Sequence, residues 1–153
     1  MSLFTRRQAL AAGAGLCLGT QLQAAPPKTD TFTGKLRPLA DLVGQLGTKL
    51  DSDAAPHWLA LVTEDGKVYP LIKDDGARVF FDDKETLNRP MRVTGRLLPG
   101  SQLLQVIQVH SVVKGVVHDL YYWCDICSIR RRSKMICECC GGPMERKEEP
   151  LKK

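Results

Sequence analysis

The chain has 153 residues, 43% of them hydrophobic and 25% charged, with 13 glycines and 9 prolines. That makeup excludes a disordered, collagen-like or multi-span membrane protein, and the length limits it to one compact domain with a small appendage. The formal charge of +5 drops to +3 if Arg6 and Arg7 leave with a leader, too mild a balance to point to a polyanionic partner.

Residues 1–24 have the layout of an export signal: Arg6 and Arg7, a weakly apolar run from Ala9 to about Leu18, then small and polar residues ending at Ala24. No strongly apolar stretch is long enough for a membrane span. Thr5-Arg6-Arg7-Gln8-Ala9-Leu10 resembles the twin-arginine signal, with Ala9 where phenylalanine is common. The resemblance implies transport of an already folded protein, often one that takes its cofactor in the cytoplasm. Leu16 before Cys17 argues against a lipoprotein cleavage site. Cleavage near Ala24 or Ala25 and a periplasmic product without a transmembrane anchor are expected.

Residues 25–31 form a linker containing Pro26 and Pro27. From residue 32 to 115 the pattern is that of short strands separated by turn chemistry, predicted over Phe32–Pro38, His57–Thr63, Lys67–Ile72, Met91–Leu98 and Leu103–Val113. Asp65-Gly66 supplies the positive φ angles of a tight hairpin, and Pro99-Gly100-Ser101 turns the chain between the last two strands. Pro70 lacks an N–H donor and places the third strand at an edge or bulge. Short helices are predicted over Leu39–Leu46 and Gly76–Phe81. Met91 and Val93 alternate with Arg92, Thr94 and Arg96, whereas the phase slips near Val106-Ile107, as it does with burial on both faces or at a β-bulge.

Five such strands with a helical segment between the third and fourth resemble the OB-fold, a small Greek-key barrel. Many OB-folds bind oligonucleotides, but aromatic side chains are few here and the pairs Asp74-Asp75 and Asp82-Asp83 oppose phosphate, so nucleic acid is not expected. The acidic pairs lack the alternating ligands of a calcium loop and read as solvated turns. His57 and His110 fall in strand-like segments and read as packed or solvated.

Five cysteines fall within 17 residues: Cys124-Asp-Ile-Cys127, nine residues, then Cys137-Glu-Cys139-Cys140-Gly141. Each C-x-x-C pair can wrap a turn that points two thiolates at one ion, and the spacer reads as strand, turn, strand. Residues 118–149 are therefore expected to form a zinc-ribbon-like module with Cys124, Cys127, Cys137 and Cys140 as metal ligands. So short a segment with few large apolar side chains needs a cross-link to hold its shape. Two disulfides would serve the same end, and a redox-active dithiol beside Arg130, Arg131 and Arg132 is a further alternative, although no βαβ setting accompanies the motif.

Zinc suits a closed set of four thiolates; iron fits the same geometry, and the crowded thiols with Met144 would suit Cu(I). Cys139 is a surplus thiol, and His118 is a candidate replacement ligand. Tyr121, Tyr122 and Trp123 are expected to seat the ribbon on the barrel. The tail Tyr121-Tyr-Trp-Cys-Asp-Ile-Cys127 with Cys137-Glu-Cys-Cys-Gly-Gly-Pro-Met-Glu145 resembles that of small exported bacterial proteins, of a kind seen in planctomycetes, with an OB-like body and a C-terminal cysteine motif. That group implies no catalytic residues. The reading is an exported, non-enzymatic metal-binding protein that engages a periplasmic protein or holds metal, with a thiol-disulfide oxidoreductase and a copper-handling protein as alternatives.

Overall fold

Apolar residues that recur at every second position place the strands. In the computed structural model, which describes residues 28–151, Asp30–Pro38 forms β1 and buries Leu36, while Pro90–Leu97 forms β4 and buries Met91 and Val93 on the same barrel interior. Leu59–Thr63 (β2) and Val68–Pro70 (β3) make the hairpin expected at Asp65-Gly66: Gly66 has φ 78°, and its N–H donates to Thr63 O at 3.0 Å. Leu104–Val113 is β5. The proposed leader and the first residues of the linker lie outside the described residues, and Asp30 and Thr31 already pair with β4. Among the described residues no helix is long and apolar enough to cross a membrane.

The protein is mainly β, with one antiparallel sheet of eight strands. The path runs β3-β2-β1-β4-β5, and a parallel bridge between Leu71 and Leu104, with Ile72 N–H donating to Leu104 O at 3.0 Å, brings the far side of β3 onto β5. β3 thus ends the path, as Pro70 requires. Leu39–Gly44 forms the short helix α1, and between β3 and β4 the chain forms a second, α2, over Arg78–Asp82, which drops Val79 and Phe80 into the interior. His57 closes a 3-10 turn, Ala55–His57, rather than starting β2, because Pro56 has no N–H for a ladder.

The phase slip in β5 is a β-bulge. Thr94 pairs with Gln108 and Gly95 with Val106, so Ile107 is the extra residue and points to solvent, 50% exposed. Gly76 lies on this kink: a Cβ there would stand 1.9 Å from Val106 O, so only glycine lets the loop before α2 approach β5.

The strands over Val116–Cys124 and Glu145–Pro150 are not among those the sequence pattern predicts. Val116–Cys124 (β6) pairs with β5 through His110–Val113, then with Ile129–Arg131 (β7) through its last three residues; Glu145–Pro150 (β8) pairs along its other edge. β6 is therefore the beam that joins the barrel strands to the cysteine turns. Its alternate residues Leu120, Tyr122 and Cys124 enter one apolar cluster with Leu36, Phe80, Met91, Cys137 and Met144.

Candidate metal centre

Both cysteine pairs sit on hairpin tips of the same construction. Cys124 ends β6, and the chain turns through Asp125 and Ile126 to return as β7, with Ser128 N–H donating to Cys124 O at 2.8 Å. In the second tip, Gly141 N–H donates to Cys137 O at 2.8 Å, and Cys137 N–H to Gly142 O at 2.8 Å, beside a bridge between Ile136 and Pro143. The residue after each pair takes a left-handed conformation, Ser128 at φ 54° and Gly141 at φ 69°. That twist tilts backbone N–H groups toward sulfur: those of Ile126 and Cys127 bond to Cys124, those of Cys139 and Cys140 to Cys137.

The four sulfur atoms of Cys124, Cys127, Cys137 and Cys140 all lie within 4.8 Å of one another. Cys124 Sγ and Cys140 Sγ are 3.6 Å apart, too far for a disulfide and close to the roughly 3.8 Å edge of a thiolate tetrahedron built on metal–sulfur bonds of about 2.3 Å. All five cysteines among the described residues are free thiols. Cys124 and Cys137 are each 1% exposed, whereas Cys127 is half-buried and Cys140 reaches the surface. The site therefore has a floor of two buried sulfurs and an open side.

Electrostatics favour a cation here. The N–H groups of Cys140 and Cys139, helped by neighbouring thiols, hold the Cys137 thiol down to about 6. The Cys139 thiol and burial push Cys127 up. At Cys124 the N–H of Cys127 pulls down, but burial and the thiols of Cys137 and Cys140 prevail and raise it. One thiolate forms readily and the next are opposed by its charge; a divalent or soft monovalent cation among them removes that opposition.

The four cysteines read from spacing thus converge, whereas Cys139 and His118 lie outside their group. Cys139 is exposed beside Cys127, outside the group of four. His118 lies six strand residues before Cys124, about 20 Å along β6, with its Nδ1 2.9 Å from Val116 O. Met144 is buried in the cluster that contains Cys124 and Cys137. The arginines face acids rather than thiols: Arg130 and Arg132 pair with Asp119, and Arg131 Nη2 donates to Glu138 at 2.8 Å. Of the aromatic triplet, Tyr122 seats the module in the core, while Tyr121 turns to the opposite face, under the Arg130 guanidinium at 3.9 Å, and donates to Glu149 at 2.6 Å.

The reading of Asp82-Asp83 as a solvated turn is corrected for Asp83, which is 2% exposed. Its carboxylate accepts from Tyr122 Oη at 2.7 Å and Arg146 Nη1 at 3.1 Å, and from Glu85 N–H at 3.1 Å, tying the segment after α2 to β6 and β8. Arg89 holds Glu148 of β8 through two bonds of 2.8 Å, and Ser111 donates to the same carboxylate at 3.2 Å. Nothing local in the sequence marks Asp83; its partners lie 39 and 63 residues away. Comparison with protein-family models, curated proteins and solved structures finds no match to this chain.

Proposed function

We propose that this is an exported, non-enzymatic metal-binding protein in which Cys124, Cys127, Cys137 and Cys140 hold one zinc ion in a ribbon-like module beside an OB-like barrel. The convergence of four sulfurs on two equivalent turns carries the reading. Zinc is favoured over iron and Cu(I) because a four-thiolate tetrahedron matches its preference and asks for no redox partner. The barrel assignment draws on the strand order β3-β2-β1-β4-β5 with its parallel contact back to β3, and on α2 between β3 and β4, the connectivity of that fold. Export by the twin-arginine route rests on the leader and agrees with a metal loaded before transport.

The module then works as a rigid surface for a periplasmic protein partner, or as a holder of the ion. A dithiol oxidoreductase is the weaker reading for a geometric reason: Cys137, whose thiol pKa is held down by backbone N–H groups, is 1% exposed and closed to attack on a substrate disulfide. The deciding experiment is elemental analysis with a free-thiol count on protein recovered from the periplasm without added metal. About one zinc per chain, with four further thiols titrating after chelation, is the expected result. Metal-free protein with at most one reactive thiol would overturn it in favour of disulfides. Iron or copper in zinc's place would keep the site and replace the ion.

A further inference from the structure

Apart from the cysteine turns, His57, Trp58, Leu71, Ile72, Lys73 and Leu103 line an open hollow of about 350 Å³, within the size range of small-molecule sites. We propose that this hollow binds a small aromatic carboxylate, its ring against Trp58 and its charge on Lys73 and His57. The inference does not depend on the metal reading.

The charges point to an anion. Lys73 Nζ lies 3.0 Å from His57 Nδ1. An ammonium group has no lone pair, so Lys73 donates and Nδ1 accepts, which leaves the ring's own proton on Nε2. The pair therefore presents only donors: the remaining ammonium N–H groups and His57 Nε2–H. Among the described residues neither side chain has a carboxylate at ion-pair distance. Lys73 shares the adjoining hollow with Asp74, Asp75 and Asp82, but Asp75 is paired with Arg78, Asp74 accepts from Gln105 Nε2 at 3.0 Å and Ala77 N–H at 3.3 Å, and Asp82 stands beyond ion-pair distance of the ammonium group. The Phe81 ring, 5.1 Å below the ammonium, steadies Lys73 without neutralising it.

The walls select the rest of the ligand. Trp58 is 44% exposed and lines the hollow together with Lys73. Leu71, Ile72 and Leu103 supply apolar side chains and no polar ones, which suits an aromatic ring and gives a sugar's hydroxyl groups nothing to bond. The walls are preformed. Trp58 is pinned by Leu39 N–H donating to its carbonyl at 2.9 Å, and Ile72 by its own bond to Leu104 O, so binding orders little new backbone.

The test uses the two indole N–H resonances of the protein, from Trp58 and Trp123, in a ¹H–¹⁵N titration with benzoate, benzamide and glucuronate. Benzoate is expected to shift the Trp58 signal saturably and leave Trp123 in place, with benzamide about tenfold weaker, since it lacks the charge that strengthens bonds to Lys73 and His57. Lys73→Gln should remove that preference while leaving benzamide binding unchanged, and an unmoved Trp123 signal will show the fold intact. Trp58→Leu should lose both ligands. Equal binding of benzoate and benzamide, preferential binding of glucuronate, or no shift of Trp58 up to the solubility limit would each overturn the proposal.

Discussion

Asp83 places a carboxylate where water scarcely reaches, and its bonds to Tyr122 and Arg146 tie the segment after α2 to β6 and β8. Burial alone would raise its pKa, but the hydrogen bonds from Tyr122, the Glu85 N–H and Arg146 outweigh that and hold the carboxyl below the usual range. A depressed folded-state pKa means the unfolded chain takes up the proton first. The stabilisation is thus complete above the ordinary carboxylate pKa of about 4 and is lost as the pH falls through the lower folded-state value. Asp83→Asn is expected to cost about 2 kcal/mol at pH 7 in urea unfolding, with the difference from the parent protein shrinking as the pH falls below the ordinary carboxylate range. A variant as stable as the parent at pH 7 would show that the network adds nothing. At this scale the convergence of the four cysteines was legible because C-x-x-C is a local geometry that any chain must satisfy over four residues. Asp83 was not, because an acidic pair after an apolar run looks the same whether its partners are water or an arginine 63 residues on.

The strands of the barrel follow the sequence within a few residues, since side-chain alternation and turn chemistry act over short distances. The bulge in β5 was visible as a broken phase, but its role appears only where the loop before α2 meets it at Gly76. Gly76→Ala is expected to lose about 2–3 kcal/mol, because the methyl group and the Val106 carbonyl cannot share the space and either α2 or β5 must move. Gly44→Ala, at the end of α1 with open space around it, should be neutral or slightly stabilising and serves as the control in the same denaturation series. β8 escaped prediction for a clear reason. Its sequence, Glu145-Arg-Lys-Glu-Glu-Pro150, has no apolar alternation and residues of low strand propensity. It is held by pairing with β6 and by ion pairs from Arg89 and Arg146, which are visible only in three dimensions. β6 was hidden differently: its Val, Tyr and Trp residues are good strand formers, but the cysteine motif at its end drew them into the reading of a small separate module.

Across the described residues, one apolar cluster runs from Leu36 and Met91 in β1 and β4 to Cys124, Cys137 and Met144 at the four-cysteine cluster. Metal binding should therefore stabilise the barrel as well as the hairpins. Chelation is expected to lower the stability of a single unfolding transition by about 4 kcal/mol when compared with metal at a thousandfold its Kd, and Cys124→Ser should reproduce the loss. Barrel unfolding that ignores the chelator would show two uncoupled parts. The sequence by itself determined the strand-rich body, its hairpin turns, the break of phase in β5 and the four cysteines that converge, because each depends on residues near one another in the chain. Only the tertiary structure decided that β6 and β8 weld the cysteine turns to the barrel, that Asp83 is buried, and that Lys73 and His57 stand together in the hollow that Trp58 lines. These are pairings across long sequence separations, set by which surfaces the folded chain can bury and which charges it must then satisfy.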